Sequence, residues 1–258
     1  MSEIPHIPVL YREVIEAFEG IEDGIIVDCT MGYGGHSSML LDANENITLI
    51  GIDQDQTAID FSTKRLTPFG NRVKIKKGRF SDVIKSIIAG EGAENIRGIL
   101  ADIGVSSLQL DQKDRGFSYE SETLDMRMDR RRHPSAEEII NNFSKDDLAD
   151  IFYYFGEERQ ARRIALHIVA ERGKERINTT SHIAHIIAGA IPRKFHPRTI
   201  HVATKVFQAL RIAVNKELDN LTTVLNFITE ILKPGGRICI ITFHSLEDRL
   251  VKWKFKDN

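Results

Sequence analysis

The sequence predicts an α/β protein: a mostly parallel, doubly wound sheet with an inserted helical subdomain. Three observations predict it. Short apolar runs alternate with amphipathic stretches of helical spacing, the pattern of successive βα units. Three of the runs end in an acid, Asp28, Asp53 and Asp102, and right-handed crossovers bring such ends to one sheet edge. The interval from Asp102 to the run at Arg237 is far longer than one crossover needs.

Predicted strands cover 24–29, 48–52, 73–77, 96–102 and 237–243, and crossover handedness orders them 3-2-1-4-5. The first, Ile25-Ile26-Val27-Asp28-Cys29, leads through Gly32, Gly34 and Gly35 into a helix opening at Ser37. Glycines there permit a sharp turn and the close approach of a ligand. The second strand ends in Asp53, at a distance from the glycines that suits a ribose diol. Helical spacing at 57–66 and 80–89 fills the next two crossovers.

Within the long interval, Ser135-Ala136-Glu137-Glu138 reads as a capping box one residue short, and Ser144-Lys145-Asp146-Asp147 as a complete one. Helical spacing continues at 148–155, 161–172 and 180–191, and Pro192 and Pro197 punctuate a basic loop. His201, Thr204, Phe207, Gln208 and Arg211 share one helical face by their spacing. A last crossover helix, 218–232, stops at Lys233-Pro234-Gly235-Gly236. The expected division is 1–110 for the first part of the main domain, 111–205 for a substrate-recognition insertion, and 206–258 for the second part.

Bulk properties narrow the function. The 258 residues suffice for one large domain with an insertion. A net charge of -2 does not advertise a nucleic-acid binder, so any RNA contact rests on local basic patches. Two such patches stand out: Arg127, Arg130, Arg131 and Arg132, then Arg193, Lys194, His196, Arg198, His201 and Lys205. Cys29 and Cys239 lie in apolar runs and read as buried thiols, with neither metal spacing nor a disulfide framework. No metal site is expected. The absence of a long apolar run or a secretory signal reads as cytoplasmic, with no membrane partner.

The glycine loop does not match G-x-G-x-x-G, because Ser37 holds the sixth position. Asp28 just before it disfavours a pyrophosphate and suits a cationic ligand. S-adenosylmethionine, with a sulfonium, an ammonium and no phosphate, fits best. Asp102 and Ser106, at and after the fourth strand end, are candidate catalytic residues. An acceptor at an amine's N–H groups frees the nitrogen lone pair for direct transfer from a sulfonium. The His244-Ser245 pair has no nucleophile elbow and no matched acid, which excludes a serine hydrolase.

With these residues in view, the sequence closely resembles the bacterial 16S ribosomal RNA cytosine-N(4) methyltransferases, the RsmH/MraW family. The matching strings are His6-Ile7-Pro8-Val9-Leu10, Asp28-Cys29-Thr30, Gly34-Gly35-His36-Ser37, Gly51-Ile52-Asp53 and Asp102-Ile103-Gly104-Val105-Ser106-Ser107. They continue through Gln109-Leu110-Asp111, Arg115-Gly116-Phe117-Ser118, Leu124-Asp125-Met126-Arg127-Met128-Asp129, Phe207-Gln208-Ala209-Leu210-Arg211-Ile212 and Phe243-His244-Ser245-Leu246-Glu247-Asp248.

The resemblance implies a Rossmann-like class I methyltransferase acting on a cytosine in the decoding region of the small ribosomal subunit. It implies cofactor contacts at Gly34, Gly35, His36, Asp53, Phe80, Asp102 and Gln109, with Phe80 as an apolar wall against adenine. RNA contacts are expected at Arg127, Arg130, Arg131, Arg193, Lys194 and Arg198, and the protein as monomer or homodimer.

Leu108 and Val202 stand where the family has proline, and Lys205 where it has arginine; Leu108 is expected to loosen the loop before Gln109. Family members continue well past the position of Phe255, whereas this sequence stops at Asn258. Two expectations follow: a sheet without its sixth and seventh strands, or a sequence that is a truncated piece. The alternatives are a methyltransferase of the same fold with another substrate, and a non-catalytic RNA-binding protein.

Overall fold

A computed structural model describes residues 7–232 and 234–256, except for the side chains of residues 107, 108, 229 and 230. His6 and Lys233, which belong to strings quoted above, lie outside the described residues. The chain runs α1 (Tyr11–Phe18), β1 (Gly24–Asp28), α2 (Gly35–Ala43), β2 (Ile47–Asp53), α3 (Gln56–Leu66), β3 (Val73–Lys77), α4 (Phe80–Glu91) and β4 (Ile96–Asp102). It continues with α5 (Ser107–Asp111), α6 (Ala136–Asn142), α7 (Lys145–Tyr154), α8 (Ala161–Arg172), α9 (Thr180–Ala190), α10 (Thr204–Asn215), α11 (Glu217–Ile231), β5 (Arg237–Ile241) and α12 (Ser245–Lys256).

The residues form two compact units, one of 1–104 with 218–258 and one of 105–217. In the first unit the strands pair in the order β3-β2-β1-β4-β5, all parallel. This is the predicted order. Parallel strands covered on both faces read as near-continuous apolar runs, and every residue of β1 after Gly24 is buried. Alternate side chains serve opposite faces. Ile25, Val27, Ile50, Ile52, Ile99 and Ala101 join one core with α4 and α11. Ile26, Ile47, Leu49 and Leu100 join the other with α1 and α2.

Three details depart from expectation. β5 ends at Ile241, so Phe243 and His244 sit in a turn before α12 rather than in the strand. Cys239 is only half-buried, since β5 lies at the sheet edge with one neighbour. Helices α1 and α12 add cover that periodicity did not single out.

The second unit is helical, and its core gathers α6, α7, α8, α9 and α10 around Phe152, Ile164, Ile168, Ile187 and Leu210. It spans Val105–Glu217, wider at both ends than the expected 111–205. The reason is apolar: Val206, Phe207, Leu210 and Val214 of α10 face this core, and Val105 packs against it. His201 precedes α10 instead of sharing its face; its ring stacks on Tyr119 with centroids 4.4 Å apart. Leu108 and Gln109 both lie inside α5, so position 108 belongs to a helix and not to a loop before Gln109.

The Ser135 box is complete, contrary to the sequence reading. Ser135 is the N-cap and Glu138 the third helical residue; the Glu138 N–H donates to Ser135 Oγ at 3.2 Å, and the Ser135 N–H to Glu138 Oε2 at 2.7 Å. Ser135→Ala is expected to cost about 1 kcal/mol, a fall of a few degrees in Tm measured by circular dichroism.

Candidate active site

Register explains the layout of the strand-end acids. Asp28 pairs with Gly51 of β2 and Leu100 of β4. Asp53 and Asp102 each lie two residues further along, about 6–7 Å at strand rise. Asp28 is thus recessed and 1% exposed, while Asp53 and Asp102 reach the rim.

The loop after β1 is laced to its neighbours. Asp28 accepts the Thr30 N–H at 3.1 Å through one oxygen and the Ser37 hydroxyl at 2.7 Å through the other. Thr30 Oγ1 accepts the Asp102 N–H at 2.6 Å. Asp53 Oδ2 accepts the Gly32 N–H at 2.8 Å, and Oδ1 accepts the Asp55 N–H at 2.7 Å. Asp53 therefore holds the glycine loop in place as well as standing where a diol would bind. Asp28 acts as a buried strut between the loop and α2.

Two glycines are fixed by geometry. Gly34 caps α2 with φ +73, a left-handed conformation that favours glycine. At Gly35, a Cβ would come within 2.5 Å of Pro8 Cγ. The small residue there accommodates Pro8 of the N-terminal segment, a role that glycine spacing did not reveal.

His36 extends the same link. Its Nε2–H donates to the Val9 carbonyl at 2.8 Å, which leaves Nδ1 facing Asp102 Oδ2 at 3.7 Å. Asp102 Oδ1 is buried and has no hydrogen-bond partner among the described residues. Burial pushes the Asp102 carboxyl up to about 6; His36 opposes the shift, and Asp28 and Glu247 add to it. Burial likewise raises Asp53 to about 6, against the pull of the Asp55 and Gly32 N–H groups. Asp28 is raised by burial too.

Glu247, fully buried in the first turn of α12, accepts the Phe243 N–H at 2.9 Å. Its influence on Asp102 was missed from the sequence. The only available signal was an acid at the third helical position, a common capping residue. Phe80 is 8% exposed and belongs to the core below α4, so only its edge is left for an adenine.

Other sequence candidates lie in the second unit. Ser106 and Gln109 form a reciprocal cap on α5: the Ser106 N–H donates to Gln109 Oε1 at 3.0 Å, and the Gln109 N–H approaches Ser106 Oγ at 3.3 Å. The Ser106 hydroxyl oxygen is thus engaged at a helix end.

The first basic patch is neutralised in place. Arg127 grips Asp125 at 2.6 Å, Arg130 pairs with Asp114 at 2.7 Å, and Arg131 with Asp129 at 2.8 Å. Arg131 and Arg132 hold the Asp129 carboxyl down at about 2. In the second patch Arg193, Lys194 and Arg198 are exposed, and Arg193 and Arg198 have no acidic partner among the described residues.

No helix among the described residues is long and apolar enough to cross a membrane. Three carboxylates gather at this strand edge, an arrangement that suits a cation, and Asp102 Oδ1 has no donor among the described residues. That is the chemistry of a sulfonium or ammonium ligand beside an amine acceptor.

The Ribosomal RNA small subunit methyltransferase H of Sulfurimonas denitrificans is 52% identical over 257 residues, spanning 100% of this chain and 82% of that protein. The protein of the same name from Desulfotalea psychrophila is 49% identical, over 100% of this chain and 88% of its own length. That from Campylobacter curvus is 48% identical, over 98% and 80%. The model of the MraW methylase family matches residues 3–258, and the chain belongs to that family of methyltransferases.

Proposed function

We propose that this protein transfers a methyl group from S-adenosylmethionine to the exocyclic 4-amino group of a cytosine in the decoding region of 16S ribosomal RNA, in the cytoplasm. The observation that carries the reading is the Asp102 carboxylate, one oxygen of which has no hydrogen-bond partner among the described residues, at a strand edge shared with Asp28 and Asp53. Relatives that are about half identical over nearly the whole chain carry the name of an rRNA small subunit methyltransferase. The names support the RNA; the acids support the donor.

When bound, S-adenosylmethionine supplies an electrophilic methyl group on a sulfonium. Asp53 accepts the ribose hydroxyls while keeping the Gly32 turn closed. Gly34, Gly35 and the His36 backbone would line the approach, and Phe80 would border the adenine. Asp102 would stabilise the cation and accept an N–H of the cytosine amine, which would draw the nitrogen lone pair out of conjugation. With the cofactor bound, Asp102 would stand ready to take the surplus proton of the amine as the methyl group is transferred. A carboxyl raised to about 6 is a better proton acceptor than an ordinary one. His36, anchored on Val9, faces the Asp102 carboxylate. Ser106 holds the start of α5, and the exposed Arg193, Lys194 and Arg198 take phosphates. Arg127, Arg130 and Arg131 reach phosphate only by sharing or leaving their aspartates.

The test uses methyl-labelled S-adenosylmethionine with small subunits that lack the modification, followed by nucleoside mapping. The expected product is labelled 4-methylcytidine. Cofactor binding without any labelled cytidine would overturn the reading.

A further inference from the structure

No Asp or Glu occurs between Glu175 and Glu217, a stretch that holds seven Lys and Arg residues in a chain of net charge -2. Three of those cations are tied down: Arg176 to Glu137, Lys205 to the Glu157 carbonyl and Arg211 to Glu217. Arg193, Lys194 and Arg198 are exposed. Between them stands Phe195, whose ring is 53% exposed although Lys194 Nζ lies 5.0 Å from its centroid. Ile200, 48% exposed, follows.

An exposed phenylalanine on a floppy loop would mean little. This one is fixed. Arg193–Phe195 is a 3-10 turn closed by the Phe195 N–H to the Pro192 carbonyl at 2.8 Å and the His196 N–H to the Arg193 carbonyl at 3.1 Å. The His196 ring donates through Nε2 to the Ile191 carbonyl at 2.9 Å, and Ile191 is part of the helical core. An exposed aromatic ring on a fixed backbone turn, with cations before and after it in the chain, matches what unpaired bases need. The ring stacks on any base, and the charges follow the phosphates. Duplex RNA keeps its bases stacked inside and offers no such face.

We propose that the Arg193–Phe195 turn and the segment through Ile200 dock a single-stranded stretch of RNA, with one base stacked on Phe195 and phosphates on Arg193, Lys194 and Arg198. The inference rests on the RNA reading above and deepens it, because it names unpaired RNA as the form recognised and Phe195 as a recognition residue.

The test compares wild type, Phe195→Ala, Phe195→Trp and Arg198→Ala in the full chain. A fluorescent single strand of ~12 nucleotides serves as probe beside the same strand annealed to its complement. Phe195→Ala is expected to weaken single-strand binding by about 10-fold or more and to leave duplex binding unchanged, while Phe195→Trp restores it. Arg198→Ala is expected to weaken both and to reduce the salt slope by about 0.7 on the single strand. In methyl transfer to ribosomal RNA, Phe195→Ala raises KM and leaves kcat at saturation unchanged. Equal binding by wild type and Phe195→Ala would overturn the proposal, as would Phe195→Trp behaving like alanine. Phe195-dependent capture of a polyglutamate peptide would do the same, by making the partner an acidic protein. Phe195-dependent strand binding with no methyl transfer to RNA by wild type would leave this docking surface standing and remove the proposed reaction instead.

Discussion

Asp102→Ala is expected to lower kcat for methyl transfer by about 100-fold or more, the usual cost of removing one preorganised group aimed at developing charge. The variant loses a strand-end oxygen that is buried without a donor among the described residues. Asp102→Asn keeps a carbonyl acceptor but neither the charge nor the proton acceptor, and is expected to fall between wild type and alanine.

A pH signature separates this role from a structural one. A cationic ligand favours the ionised carboxylates, so cofactor affinity rises with pH through about 6, where Asp102 and Asp53 ionise in the free protein. With one carboxylate removed in Asp102→Asn, the slope of log Kd against pH shrinks, measured by titration calorimetry. Stability moves the other way. A carboxyl raised above its unfolded value of 3.8 contributes stability below that value and loses it as pH rises through about 6. At neutral pH its buried charge is therefore a net cost, and Asp102→Asn is expected to raise the Tm of the ligand-free protein while it slows catalysis. A loss of both activity and Tm would mean that Asp102 is structural.

Asp53→Ala is expected to weaken S-adenosylmethionine binding by about 10- to 100-fold, the range for losing a charged hydrogen-bond partner. Two effects combine: the ribose loses its acceptor, and Gly32 loses the oxygen that closes its turn. A comparison of ligands divides them. A cofactor analogue without ribose hydroxyls feels only the loosened loop, so its affinity falls less than that of the parent compound. Equal losses for both would assign Asp53 to the loop alone. Unchanged affinity for both would remove it from the site.

Much of the frame was legible in the chain itself. The runs ending in Asp28, Asp53 and Asp102 gave strand order and the acid edge, because parallel crossovers have one hand and place like ends together. The Ser144 box gave a helix start because capping is local. The misreadings arose where a contact is distant in sequence or spacing was taken too literally. Spacing also gave no hint that Pro8 fills the space where a side chain at Gly35 would be. His201 has the spacing of the α10 face, but its ring is spent on Tyr119 before the helix begins. The first arginine patch looked ready for phosphate, although aspartates two to sixteen residues away already hold it.

The sequence by itself determined the sheet order, the acids at its edge and the family, since these follow from local periodicity, chain chirality and long ordered strings. Tertiary structure alone decided which charges remain available. Whether Asp102 keeps an oxygen without a donor, whether an arginine is already paired, and whether Phe195 faces solvent all depend on partners brought together by packing. Burial and pairing set the energy of a charge far more than its neighbours in the chain do, and neither is written in residue spacing.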